Sequence, residues 1–543
     1  MVFARRSTTL LAAIIASCAM VLSLTACTSD NKTVVDGQTT VTSNSAGGVA
    51  VFTPSDGITL NQQTPLNKWA KLVPDLAKAL ADAGFKKGDI NHTTSDSLAK
   101  QSRAIQDFVV DHLSNNTTDD SGIAIAPDNM TLLVAPVVEA DASTRQYGDY
   151  ISQNLSTNDA TDGEATSDGE SSEDDSSKDD SSNTESDSTA SDEQAQAVDR
   201  LVSSLKLAKE SGMHVVLLGN SIEGYKPDAF VKFSDAQTIG KLQAEKMVSK
   251  LKLDKASKDN PKYIEVLLPY TAMDEKGNAN DSTFAQEAFR GIWQVLGSYY
   301  QKGVVESPSG TLDGKSTEND WQAVAYDAAK EGSTAKVLDK RLAKTDGQST
   351  LTRIDGIITM NDYIASEVVK ELDDLGYTGS AADINPQITI SGIVGNITGK
   401  KDLSRDAVPD PIKSPENDNA NDSSSSDDDA DEDTSASDKD RDSQWPLVTG
   451  YGAYVSNIPS IVNGKQWMTG MEDRQTIATD IAQACAKLNK DEALNSMPSI
   501  RNSEVGGVKK IPTISEPLLA VSASNLKSAL IDPGYISLAD AGL

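Results

Sequence analysis

Cysteine and histidine are the residues this sequence has least of, with three of each among 543 residues. Cys18 lies in an N-terminal targeting segment and Cys27 directly follows it, at a position interpreted below as modified, so Cys485 has no intramolecular partner in the mature chain. A fold held together by disulfides is therefore excluded. The histidines are scattered without the spacing of a zinc site, and the sequence predicts no metal and no cofactor.

Basic residues are also in deficit. Lys and Arg number 49 against 81 Asp and Glu, which gives a formal net charge of −32. Because phosphate binding needs a basic surface, this excludes a general nucleic-acid binder. Most of the negative charge lies in two tracts, about 157–194 and 415–443, with fourteen and twelve acidic residues. Both have almost no large apolar side chain, so we predict disordered insertions in surface loops. They are solvated spacers or, alternatively, sites for Ca²⁺ or basic partners, although the spacing of a calcium-binding loop is missing.

Long apolar runs are missing apart from one at the N-terminus. The run Leu10–Leu24 follows two arginines and is shorter than the ~20 residues of a membrane span, so we interpret residues 1–26 as a signal peptide. The sequence Leu24-Thr25-Ala26-Cys27 resembles the lipobox of bacterial lipoproteins, in which the cysteine receives the lipid. This resemblance implies a chain anchored through Cys27 to the extracytoplasmic face of the cell membrane. Cleavage at a nearby site, with Cys27 incidental, is the alternative.

The rest of the chain alternates strand and helix patterns. Residues 27–47 are polar and small and predict a flexible tether. After them, apolar runs such as His214–Leu218 alternate with amphipathic segments such as Arg474–Leu488. This order predicts an α/β fold of βαβ units with parallel sheets. Two sets of such units fit the length of the chain better than one long sheet.

Three element predictions depend on single residues or short patterns. The apolar spacing at Trp69–Leu80 predicts a helix, and Pro74 predicts that its regular part begins there. Trp321–Ala329 also predicts a helix, and Ile388–Val394 predicts a buried strand.

Several motifs occur in an order that is specific even though each motif is weak. They are Lys68-Trp69, Phe233-Ser234-Asp235, Asn319-Asp320-Trp321, Asp355 through Asp362, and Leu447 through Gly450. In this order the chain resembles type I periplasmic sugar-binding proteins, in particular the xylose-binding and multiple-sugar-binding lipoproteins of ABC importers. The resemblance implies two doubly wound parallel-sheet lobes joined by a hinge, with mainly 48–250 in the first lobe and mainly 251–543 in the second. The chain is expected to cross back between the lobes near its C-terminus. The resemblance also implies a monomer that binds a sugar or related small solute between the lobes and delivers it to an ABC permease.

The resemblance also implies a set of ligand contacts. The six candidate residues are Lys68, Trp69, Asp235, Trp321, Asn361 and Asp362. Asn361 and Asp362 follow a predicted strand, at the end where open α/β sheets bind ligands. Asparagine both donates and accepts hydrogen bonds, an ionised aspartate accepts them, and a tryptophan ring stacks on the apolar face of a sugar. The structural alternatives are helix caps for the Asp and Asn residues, packing between lobes for the tryptophans, and a solvated amine for Lys68.

The chain departs from the family pattern at several polar positions. Gly219-Asn220-Ser221 replaces a basic tyrosine-aspartate-arginine run, Ala236 an asparagine, Tyr451-Gly452 a Gln-Asp pair, and Glu472 a basic residue. Several expected polar sugar contacts are therefore missing. The leading hypothesis is a carbohydrate-binding lipoprotein of an ABC importer. The alternative is the same fold repurposed as a sensor or surface-interaction lipoprotein with altered or lost sugar binding.

An enzyme is the third hypothesis. Asp274 and Glu275 offer a carboxylate pair of the kind that glycosidases use, but two solvated loop acids are the simpler interpretation. The sequence shows no nucleophile elbow, P-loop or HExxH motif, so we predict no enzymatic activity.

Overall fold

The computed structural model describes residues 46–55, 65–115, 125–138, 144–157, 184–273, 279–343, 350–381 and 444–543. Several predictions fall outside these residues. They are the lipobox with Cys27, nearly all of the tether, the second acidic tract, the strand at Ile388–Val394, and the pair Asp274 and Glu275. In the described ranges no helix combines the length and apolarity needed to cross a membrane.

The strands and helices are numbered in chain order. The strands are β1 (Gly48–Pro54), β2 (Ile90–Ser95), β3 (Met130–Val134), β4 (Asn154–Leu155), β5 (His214–Leu218), β6 (Ser221–Ile222), β7 (Ala229–Val231), β8 (Lys262–Val266), β9 (Leu268–Pro269), β10 (Val305–Glu306), β11 (Ala325–Tyr326), β12 (Gly356–Ile358), β13 (Leu447–Tyr451), β14 (Met468–Met471), β15 (Ile500–Val505), β16 (Val508–Ile514) and β17 (Leu519–Ser522). The α-helices are α1 (Trp69–Asp82), α2 (Leu98–Asn115), α3 (Thr184–Glu210), α4 (Ala236–Lys250), α5 (Thr283–Gln301), α6 (Trp321–Val324), α7 (Ser333–Arg341), α8 (Asp362–Leu375), α9 (Ile458–Val462) and α10 (Arg474–Leu488).

The first lobe is built on a sheet with the order β15-β16-β7-β5-β3-β1-β2, parallel except for the hairpin between β15 and β16. Alternate residues of its strands face opposite sides. Val49 and Val51 of β1 pack with α1 and α10, whereas Ala50 and Phe52 pack with α2 and α3. Helices therefore cover both faces, as a buried parallel sheet requires.

The second lobe is built on a sheet with the order β10-β8-β12-β13-β14-β17, parallel except for β17. Helices α4 and α5 pack against each other on this lobe, and α8 packs with α7 and β13. The approach of α4 and α5 is so close that a Cβ atom on Gly291 would lie 2.0 Å from the carbonyl oxygen of Gln237. The predicted fold of two doubly wound lobes is confirmed by these two sheets.

The chain passes between the lobes three times, after β7, after β14 and between β16 and β17. The sequence pattern assigned α4 to the first lobe, but Ile239 and Met247 of α4 lie in the core of the second. The first crossing therefore precedes α4. Helix α10 and the hairpin β15–β16 return to the first lobe before β17 joins the second sheet.

Local elements differ from the sequence predictions at three places. Helix α1 begins at Trp69 and runs through Pro74, because a proline this near the N-terminus removes only one early backbone hydrogen bond. Helix α6 ends at Val324 because Ala325 and Tyr326 are extended and pair as β11 with β9. The Val324 carbonyl oxygen accepts a hydrogen bond from Arg341 Nη2 at 2.9 Å. Helix α3 begins at Thr184, inside the predicted first acidic insertion.

Candidate functional site

The carboxyl ends of strands from both sheets meet at the space between the lobes, here called the interlobe cleft. Residues 144–157, here called the interlobe segment, run through it, with Gln146 and Tyr147 on the second lobe and Asp149, Tyr150 and β4 on the first. Tyr150 of this segment stacks on Phe233, which follows β7 of the first sheet, at 4.6 Å between ring centroids. The ring centroid of Tyr147 lies 6.2 Å from that of Tyr451, the last residue of β13 in the second sheet. The segment therefore contacts both lobes at the edge where α/β sheets bind ligands.

Lys68, a candidate ligand contact, is held by the interlobe segment. Its ammonium nitrogen lies 2.8 Å from Asp149 Oδ1, and both side chains are largely buried. The other carboxylate oxygen of Asp149 accepts a hydrogen bond from the backbone N–H of Trp69 at 3.1 Å. Since Trp69 is the first residue of α1, the Asp149 carboxylate also accepts the hydrogen bond of a backbone N–H that has no partner within that helix.

Trp69 lies in the core of the first lobe, with 3% of its surface exposed. Its ring makes edge contacts with Tyr150 and Phe233, at 5.1 and 5.7 Å between centroids. In this arrangement the Trp69 ring contacts the ring of Tyr150, whereas the sequence analysis predicted that it contacts a sugar. A role for Trp69 in ligand binding stays a prediction.

Asn361 is fully buried between the end of β12 and the start of α8. Its Oδ1 caps α8 by accepting a hydrogen bond from Ile364 N at 2.9 Å. Its Nδ2 donates to Gln146 Oε1 in the interlobe segment at 3.1 Å. Met360, the residue before it, has a φ of 69°, a left-handed conformation that costs a non-glycine residue about 1–3 kcal/mol. The backbone at Met360 is therefore strained, and it directs the Asn361 side chain toward the cleft.

Asp362 is held entirely by its own lobe. One carboxylate oxygen accepts a hydrogen bond from Gln466 Nε2 at 2.7 Å. The other accepts from Tyr454 N and from Thr469 Oγ1, each at 2.9 Å. Burial raises the pKa of Asp362 to about 6, although these hydrogen bonds oppose the shift. In this arrangement Asp362 joins α8 to β14 and to the turn after β13, and its contact with a ligand stays a prediction.

Asp235 and Trp321 have partners away from the interlobe segment. Asp235 caps α4 by accepting from Thr238 N at 2.8 Å, and it forms an ion pair with Lys232. Burial raises the pKa of Asp235, but hydrogen bonds from Lys232 and Thr238 outweigh it, so that the net shift is downward. Trp321 packs edge to face with Tyr270 at 5.1 Å. Of the six predicted residues, the structure brings Lys68, Trp69 and Asn361 into contact with the interlobe segment.

The buried carboxylate of Glu472 joins two of the crossings between the lobes. The sequence analysis noted this residue only as a departure from the family pattern. Glu472, after β14, accepts hydrogen bonds from both the backbone N–H and the hydroxyl of Ser234, after β7. The Tyr451 hydroxyl lies 2.7 Å from Ser234 Oγ and donates weakly to Glu472 at 3.4 Å. Burial, the main cause, raises the pKa of Glu472 to about 7, and the charge of Asp235 adds to it.

Sequence reasoning also missed the interlobe segment. Gln146, Tyr147, Asp149 and Tyr150 lie directly before the first acidic tract and match neither a strand nor a helix pattern. The available signal was the pair of tyrosines around an aspartate, which is unusual beside a tract without aromatic residues. Among the described residues, no group of His, Cys, Asp and Glu side chains is arranged to hold a metal ion.

No protein-family model and no curated protein matches the chain. Among solved structures, it is similar to an ABC transporter solute-binding protein from Clostridium phytofermentans with bound β-D-glucose. The two are 16% identical over 91% of this chain and 99% of that chain, with a TM-score of 0.43. A carbohydrate transporter solute-binding protein from Chloroflexus aurantiacus, in complex with D-glucose, is 18% identical over 92% and 98% of the two chains, with a TM-score of 0.43. A periplasmic ribose ABC transporter from Conexibacter woesei is 14% identical over 90% and 96%, with a TM-score of 0.42. The fold itself is established by the two sheets described above.

The buried position of Glu472 makes stability depend on pH. Its folded-state pKa of about 7 lies above the ordinary value of 4.5, so the folded state holds the proton more tightly than the unfolded state does. The free energy of unfolding therefore falls as the pH rises from about 4.5 to 7. Glu472→Gln keeps an oxygen that accepts the hydrogen bonds from Ser234. Because the amide does not ionise, the variant does not lose this free energy of unfolding as the pH rises. We expect the variant to match the unaltered chain near pH 4 and to exceed it at pH 8 by about 2–3 kcal/mol in urea unfolding.

The matched control is Glu504→Gln, at an exposed position of β15, which we expect to change stability at neither pH. A Glu472→Gln variant that is no more stable than the unaltered chain at pH 8 would show that ionised Glu472 is well accommodated in the fold.

Proposed function

We propose that this chain is an extracytoplasmic solute-binding protein that captures a carbohydrate or related small solute in the interlobe cleft and delivers it to an ABC permease. The observation that supports this most is the topology. Two parallel sheets direct the carboxyl ends of their strands to one cleft, and three chain crossings join the lobes. Two lobes connected in this way close around a ligand by bending at the crossings.

The six predicted residues give the proposed contacts their chemistry. Lys68 and Asn361 lie on opposite sides of the cleft and offer donors to hydroxyl or carboxylate oxygens. Trp69 and Trp321 offer aromatic surface, and Asp235 and Asp362 offer acceptors. In this proposal the solute replaces contacts that these side chains now make within the protein. The protein then acts as a binding protein and carries out no reaction.

A second function is favoured by a specific observation. The interlobe segment already provides partners for Lys68, Trp69 and Asn361. A cleft filled in this way suits a sensor or surface-interaction lipoprotein with altered or lost sugar binding. The two functions differ in whether any small solute stabilises the folded chain.

A thermal-unfolding screen of residues 28–543 separates them. The panel contains D-glucose, D-ribose, D-xylose, L-arabinose and short oligosaccharides. We expect one sugar class to raise the melting temperature, because a ligand at 100 times its Kd adds ~2.7 kcal/mol to the free energy of unfolding. Asn361→Ser keeps a capping oxygen for α8 but loses the amide donor, so it should reduce this shift.

Asn502→Ser, at an exposed position of β15, is the control and should leave the shift unchanged. If a folded protein responds to no sugar in the panel, the sensor or interaction function replaces the carrier function.

We also propose that Cys27 anchors the chain, as a monomer, to the extracytoplasmic face of the cell membrane. Cys27→Ser in the full chain, produced in a bacterial host, should abolish incorporation of a labelled fatty acid and move the protein from the membrane fraction to the soluble fraction. Cys485→Ser, at a buried cysteine, should keep the label and the membrane location. An unaltered chain that carries no lipid label would favour cleavage by an ordinary signal peptidase.

A further inference from the structure

We propose that the interlobe cleft is a binding site for an acidic, tyrosine-containing peptide, and that the chain supplies this peptide itself as residues 144–153. This inference goes beyond the proposed function, because it concerns what fills the cleft when no solute is bound. It follows from the way one short stretch contacts both lobes at the predicted ligand residues.

On the first lobe the peptide is recognised through charge and backbone contacts. The Asp149 carboxylate bridges the Lys68 ammonium at 2.8 Å and the Trp69 N–H at 3.1 Å. The backbone N–H of Asp149 donates to the Asn67 carbonyl oxygen at 2.8 Å. The Tyr150 hydroxyl donates to the Lys68 carbonyl oxygen at 2.6 Å. An acidic residue followed by tyrosine thus provides an anion for the Lys68 ammonium, an acceptor for the first N–H of α1 and a further donor to the Lys68 carbonyl oxygen.

The aromatic contacts add shape to this recognition. The Tyr150 ring stacks on Phe233 with an interplanar angle of 21° and meets the Trp69 ring nearly edge-on. Only 1% of the Tyr150 surface remains exposed. Gly148 lets the backbone approach Asn67, since a Cβ atom there would lie 2.5 Å from the Asn67 carbonyl oxygen. The tyrosine and the glycine are therefore both specific requirements of the site.

On the second lobe the preceding residues make a matching set of contacts. The Gln146 side chain accepts from Asn361 Nδ2 at 3.1 Å, and its backbone carbonyl accepts from the Tyr454 hydroxyl at 2.6 Å. Tyr147 packs against Phe284 at 4.6 Å and is 1% exposed. Burial, the larger effect, raises the pKa of Tyr147, while its interaction with Asn361 lowers it.

The position of this peptide in the sequence suits a tethered ligand. It lies between β3 and β4 of the same chain. Because the peptide is covalently part of the chain that it contacts, it keeps a high effective concentration at the cleft. Any solute that binds at Lys68 and Asn361 must then compete with it, which lowers its apparent affinity.

The test is binding of the peptide in trans. A variant carries a ten-residue Gly-Ser stretch in place of residues 144–153, and the probe is a fluorescent synthetic peptide with the sequence of those residues. We expect saturable binding to this variant and none to the unaltered chain, whose cleft is filled. Peptides with Asp149→Asn or Tyr150→Ala should bind at least about tenfold more weakly.

A scrambled peptide of the same composition is the control. If the folded variant binds the authentic peptide no better than the scrambled one, the proposal is wrong. Because no sugar is present, this result is independent of the sugar screen, and either proposal can fail alone.

If the variant with the Gly-Ser stretch does not fold, a second experiment tests the same proposal. Protease sites are placed within residues 139–143 and 158–183 of the full chain, and the folded protein is cut at both. We expect the excised piece to co-elute with the rest in gel filtration, and the Asp149→Asn, Tyr150→Ala version to separate. Separation of the unaltered piece would overturn the proposal.

Discussion

The arrangement of the two lobes depends on one interaction, the simultaneous burial of Tyr147 in the second lobe and Tyr150 in the first. The two side chains are three residues apart, so burying both fixes the separation of the lobes to the length of a short backbone stretch. Full burial of an aromatic ring is worth about 1.5–3 kcal/mol. For Tyr147 part of this is offset, because its buried hydroxyl has no hydrogen-bond partner among the described residues. Asp149, between the two tyrosines in sequence, adds its ion pair with Lys68. The cleft is therefore defined by packing within the chain itself.

The crossings between the lobes carry polar groups suited to a hinge. Glu472 links the crossing after β14 to Ser234 in the crossing after β7. A buried carboxylate is a costly way to join two segments, because burial favours its protonated form. Hydrogen bonds to backbone and hydroxyl groups nevertheless fix the geometry of the two crossings. A change in lobe separation must repack this cluster, so the hinge and the cleft are physically connected through Tyr451.

Much of the fold was predictable because it is encoded locally. The apolar run His214–Leu218 and the amphipathic segment Arg474–Leu488 form β5 and α10 with the bounds that the sequence gives. Their periodicity reports directly on burial at a sheet or on one helix face. Helix α6 is shorter than predicted because Ala325 and Tyr326 pair as β11 with β9, a contact between residues about 57 positions apart in the chain.

The candidate site was harder to predict because it is made of long-range contacts. Lys68, Trp69 and Asn361 were found through family resemblance, but their observed partners come from the interlobe segment, which has no periodic pattern. Gln146 and Asn361 are 215 residues apart in the chain. Neither composition nor spacing reports a contact of that kind. The same holds for Glu472 and Ser234, which are 238 residues apart.

The measurement that tests this account most directly is the distance between the lobes without any added solute. Spin labels on cysteines introduced at the exposed positions Lys206 and Ser298 report it by pulsed electron resonance. We predict a narrow distance distribution for the otherwise unaltered chain, and a broader one with a longer mean when Asp149→Ala and Tyr150→Ala are added. The same distribution in both proteins would contradict the claim that the interlobe segment holds the lobes together.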